Sequence, residues 1–171
     1  MNKTINLILS FLLLFCFSAC KKSEAEADLV DGTNLTECPI SGSCNFLFAN
    51  NSGMSENNLL LSKGQYRVFW AQTSLNGTST ALYMMAPMNG DRFTMDKTDI
   101  LEGRVKYFSS CVSCFAINMV LVDGTIKGQK VKQQAGLPEK WLVESDVVLA
   151  ASENLSYRVP LHFKQYYLPA N

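Results

Sequence analysis

Leu155-Ser156-Tyr157-Arg158-Val159-Pro160-Leu161-His162-Phe163-Lys164 has the most regular alternation in the chain. Leu155, Tyr157, Val159, Leu161 and Phe163 take one set of positions; Ser156, Arg158, Pro160, His162 and Lys164 take the other. A period of two is that of a strand with one face in a core, so the first set is expected inside and the second in water. Pro160 has no N–H to donate, which predicts an edge strand or a bulge there.

Working outward, the same texture continues upstream. Short apolar runs at 44–49, 65–73, 80–86, 104–108, 114–122, 125–133, 140–149 and 155–167 read as strands. Asn76-Gly77, Asn89-Gly90 and Asp123-Gly124 separate several of them, and such pairs suit tight hairpin turns because both positions accept φ > 0. No window carries a convincing helical period. The expected fold is therefore all-β: an antiparallel β-sandwich or Greek-key barrel forming a single domain over residues 38–171.

Composition sets outer bounds. The chain has 171 residues, 15 Lys+Arg against 15 Asp+Glu, one His, six Cys and 47% hydrophobic residues. A balanced charge removes the electrostatic case for nucleic-acid binding. A single His excludes any site that needs two imidazoles. His162 falls on the predicted wet face between Arg158 and Lys164, with no motif placing a nucleophile beside it, and is expected to be an exposed structural residue. The chain shows no metalloprotease, phosphate-loop or EF-hand pattern. No catalytic residue, metal ligand or cofactor is expected, and the chain does not read as an enzyme.

The start of the chain reads as an address. Lys3 precedes an apolar run from Ile5 to Phe17, and Phe17-Ser18-Ala19-Cys20 closes it. A basic start, a short apolar stretch and small residues make a secretory signal, too short to span a bilayer. Small residues directly before Cys20 resemble the lipobox of bacterial lipoproteins. The resemblance implies a signal peptide at 1–19, acylation of the Cys20 thiol and anchoring in a membrane through lipid, with palmitate among the acyl groups. Lys21 stands where inner-membrane lipoproteins carry Asp, which implies the outer membrane. Cys20-Lys21-Lys22-Ser23-Glu24 also resembles the leader of lipoproteins exported to the cell surface. Residues 20–37 hold five acids and, after Lys22, no base, so they are expected to form a flexible acidic tether.

Four cysteines belong to the mature domain: Cys38, Cys44, Cys111 and Cys114. An even count in an exported domain suggests disulfides with three possible connectivities. Pro39 and Gly42 bend the chain between Cys38 and Cys44, whereas Cys111 and Cys114 can join only across a turn. Crossed pairing would tie the N-terminal arm to the sheet. Two sharper readings compete with these. Five residues between Cys38 and Cys44 exceed usual zinc spacing. A redox-active Cys111/Cys114 pair, as in an envelope thiol–disulfide protein, ordinarily sits at a helix start, and here a strand pattern follows.

Two further features invite chemistry. Met84, Met85 and Met88 have thioethers suited to Cu(I), although Met also fills irregular cores. Phe69, Trp70, Tyr83, Phe93, Trp141, Tyr157, Tyr166 and Tyr167 are numerous enough that some could stack on a glycan or anchor a protein partner. The Cys38-Pro39 start and the Phe163-Lys164-Gln165-Tyr166-Tyr167 tail are similar to those of small envelope lipoproteins without assigned activity. The function expected is a lipid-anchored envelope protein with a non-enzymatic binding or structural β-domain.

Overall fold

A computed structural model describes residues 30–55, 59–111 and 117–170. Among the described residues nine strands form: β1 Ser43–Met54, β2 Leu61–Lys63, β3 Tyr66–Leu75, β4 Thr78–Pro87, β5 Arg92–Met95, β6 Val105–Cys111, β7 Met119–Lys130, β8 Trp141–Ala151 and β9 Asn154–Pro169; β2 and β5 are not among the eight expected runs, and the runs at 114–122 and 125–133 join in β7. Among the described residues one short helix, α1, covers Lys97–Leu101. The fold is all-β, a single domain built from one curled mixed sheet that makes a half-barrel.

The sheet order is β5-β7-β8-β9-β1-β3-β4-β6, with β2 attached to β1. All pairings are antiparallel except β1 with β9, which touch in parallel only at Leu47↔Leu168 and Phe48↔Pro169. Two antiparallel halves thus meet at a two-pair seam. The curl is forced by the chain itself. Laid flat at ~4.8 Å per strand, this order would set β4 about 29 Å from β5. The link from Pro87 to Arg92 reaches at most about 18 Å. The sheet therefore rolls until β4 lies near β5 and β6 near β7.

Helix α1 sits in that closure, packed against β5, β6 and β7. Its start is fixed by Asp96, whose carboxylate accepts the Thr98 N–H at 2.7 Å, while Asp99 accepts the Asp96 N–H at 2.7 Å. This reciprocal capping holds one turn that buries Ile100. Asp99 is also ion-paired to Arg104.

The core fills the space between the halves. Phe69 of β3 is fully buried and touches four rings: Phe48 at 5.5 Å, Phe93 at 5.1 Å, Trp141 at 5.6 Å and Tyr167 at 5.6 Å between centroids. Three of those rings come from the opposite half, so one side chain joins both. Arg67, also buried, lays its guanidinium 4.1 Å from the Trp141 ring centroid and donates to Asn50 Oδ1 at 2.7 Å.

Several expectations need correction. Asn76-Gly77 is the predicted hairpin turn, with φ of 51° and 78°. Asp123-Gly124 is not a turn: β7 runs through it, and the register slips between Leu121 and Asp123 as a bulge. Asn89-Gly90 bends the chain between β4 and β5, which pair with different strands. On β9, Phe163 is buried and Val159 and Leu161 are half-buried, but Leu155 and Tyr157 are more than half exposed. That end of β9 runs beyond the facing half, whose seam with it lies at Leu168 and Pro169. Pro160 lies where β9 pairs with β8 alone, the edge setting its missing N–H favours. Lys164, expected in water, is buried.

Candidate functional site

The reason Lys164 is buried defines the most organised polar surface among the described residues. Register places Glu144 opposite Lys164 and Asp146 opposite His162 on β8 and β9. Because strand side chains alternate, these four share the outer face, while Val143, Ser145 and Val147 point into the core.

The chain ahead of β1 crosses this face as a strap. Val30 is buried, and Gln129 Nε2 donates to its carbonyl at 2.5 Å. Lys164 Nζ donates to Asp31 Oδ1 at 2.7 Å and lies 3.5 Å from Glu144 Oε1. Thr36 completes the attachment: its N–H donates to the Lys164 carbonyl at 2.7 Å, and its hydroxyl accepts the Lys164 N–H at 2.8 Å. Gln165 Nε2 donates to the Thr36 carbonyl at 3.2 Å. From Val30 onward, then, the stretch expected to be a free acidic tether is docked on the sheet. The Lys164 ammonium, together with the hydroxyl and amide of Thr33, pushes the Asp31 carboxyl down to about 2, and the same partnership raises the Lys164 ammonium.

Beside the strap lies a side-chain cluster that linear motifs did not reveal. His162 Nδ1 stands 2.6 Å from Asp146 Oδ1, and both side chains are well exposed. Ligand atoms of Glu144, Asp146 and His162 all fall within 4.8 Å of one another. The residues lie up to 18 positions apart in sequence, and only the β8–β9 register brings them together.

The other anticipated residues are placed as follows. Cys38 and Cys44 form a disulfide with Cα atoms 5.8 Å apart, one of the expected pairings. Cys111, at the end of β6, is disulfide-bonded, and Cys114 lies outside the described residues. Cys20 and the whole of 1–29 also lie outside them. Met84 and Met95 are buried in the core cluster; Met85 is buried on the opposite face, across from Val68, and Met88 is half-buried. Phe69, Phe93, Trp141 and Tyr167 are core residues. Trp70 and Tyr83 stack on the outer face at 6.3 Å, Lys140 lies 3.9 Å from the Tyr166 ring centroid, and Tyr157 is exposed. An open groove beside the Asn76-Gly77 turn is lined by Pro39, Thr73, Leu75, Thr78 and Thr80, hydroxyls and apolar carbons without a charge.

No protein-family model, curated protein or solved structure matches the chain.

Proposed function

We propose that this is a lipid-anchored cell-envelope protein, held at the outer membrane through Cys20, whose β-domain acts by binding or as a structural module and not by catalysis. The feature that carries the reading is Phe17-Ser18-Ala19-Cys20 behind the apolar Ile5–Phe17 run. The Cys38–Cys44 disulfide supports it, because such bonds persist in oxidising compartments outside the cytosol. The strap supports it in another way. With Val30 docked, the stretch from Cys20 to Val30 spans at most about 36 Å, which would keep the domain close to the bilayer. Partners would be the membrane, through acyl chains, and an envelope protein or glycan meeting the exposed sheet faces; nucleic acid is not among them.

Replacing Cys20 tests this. Cys20→Ala should lose labelling by a palmitate analogue and leave the membrane fraction, as an uncut or soluble product. A variant that is processed and fractionates like the parent would overturn the lipoprotein reading.

A further inference from the structure

We infer that Glu144, Asp146 and His162 form a binding site for a divalent transition-metal ion of the zinc type on the outer face of β8 and β9. The inference does not depend on lipid at Cys20. Three observations carry it. First, the donor set is one imidazole nitrogen and two carboxylates, a combination that zinc accepts. Second, the donors stand on paired strands, Asp146 directly opposite His162 and Glu144 two positions away on the same face. Strand backbones hold such positions more firmly than loops, so the ligands start near one another. Third, Lys164, which lies 3.5 Å from Glu144, has Asp31 of the strap as its nearer partner at 2.7 Å.

The movements required are small. Two ligands on a tetrahedral ion with bonds of ~2.0–2.1 Å lie about 3.3 Å apart. His162 and Asp146 are now 2.6 Å apart and must open by a rotamer adjustment, which their exposed side chains permit. Glu144 must close from within 4.8 Å. Three protein ligands leave at least one position for water or for a donor from a partner, so the site would be open and not a sealed structural one. An imidazole in the set favours zinc-like ions over Mg²⁺, which prefers oxygen ligands.

Because His162 is the chain's single His, any imidazole signal belongs to it. The test is calorimetric titration of the purified full chain, disulfides intact, with Zn²⁺ and then with Mg²⁺, alongside NMR of the His162 ring. One saturable Zn²⁺ site is expected, with a shifted ring resonance and no matching response to Mg²⁺. His162→Gln, Asp146→Asn and Glu144→Gln should each weaken Zn²⁺ binding by more than about tenfold. Glu153→Gln, an exposed acid away from the cluster, should leave it unchanged. Absence of saturable Zn²⁺ binding, binding that survives His162→Gln, or equal binding of Mg²⁺ would overturn the assignment. Unchanged affinity in Glu144→Gln would reduce the cluster to a His–Asp ion pair and overturn it as well.

Discussion

Gly124→Ala, set against Gly77→Ala, separates a bulged continuous strand from a hairpin at Asp123-Gly124. Both glycines have positive φ, +78° at Gly77 and +146° at Gly124, and both follow Asn or Asp. Their surroundings differ. A Cβ on Gly77 meets nothing within 4 Å. A Cβ on Gly124 would lie 2.5 Å from the Asp146 carbonyl oxygen and 2.7 Å from the Val147 Cα, both backbone atoms of the paired strand. Gly77→Ala should therefore carry only the left-handed penalty, partly offset by a stiffer unfolded chain, about 1 kcal/mol. Gly124→Ala adds overpacking against a central strand to its strain, about 3–5 kcal/mol together. For a domain of this size those figures translate into Tm decreases of about 3 °C and about 10 °C. Thermal unfolding followed by tryptophan fluorescence reads the difference, since Trp141 is fully buried and exposed on unfolding. Similar decreases for the two variants would refute the bulge and restore a hairpin.

Other outcomes follow from the same geometry. Phe69→Ala should cost about 4 kcal/mol, because the cavity opens where both halves meet, whereas Phe108→Ala, on a ring 44% exposed, should cost about 1 kcal/mol or less; equal losses in urea unfolding would contradict a shared core. The strap should loosen in acid. The Lys164 ammonium and the Thr33 donors hold the Asp31 carboxyl down to about 2, below the usual carboxylate range, so its contribution is complete above pH ~4 and disappears as pH falls through about 2. Hydrogen exchange at the Thr36 amide should accelerate across that window, and Asp31→Asn should remove the acid-dependent step; an identical pH profile in the variant would count against the strap. Replacing Cys38 and Cys44 with Ser should cost about 2 kcal/mol, the entropy of a short loop, and leave the fold intact; loss of folding would mean the bond holds more than its own loop.

How much of this was legible in the sequence depends on how local the cause is. The β9 strand itself, the Asn76-Gly77 turn and the Cys38–Cys44 loop are encoded within a few residues and are found where expected, whereas the in-and-out alternation of β9 holds only from Val159 to Phe163. The parallel seam at Leu47↔Leu168 joins strands more than a hundred residues apart, and nothing in either strand announces its partner. Asp123-Gly124 satisfies two local structures, a turn and a bulge; the long pairing of β7 with β8 decides between them. α1 did leave a trace, Asp96 followed three residues later by Asp99, too short to stand out beside the strand patterns. The strap was hidden because acids in a row read as a solvated linker. Val30 is the apolar residue that docks, and the cation it needed, Lys164, lies 133 positions from Asp31. Glu144, Asp146 and His162 become one cluster only after the β8–β9 register is known.

Lipid on Cys20 is the claim on which the functional reading turns, and intact mass spectrometry of the protein extracted from membranes, with its N-terminal peptide sequenced, tests it most directly. The expected chain begins at Cys20 and carries acyl mass on that residue. A chain that begins elsewhere, or one in which Cys20 bears no acyl group, would contradict it.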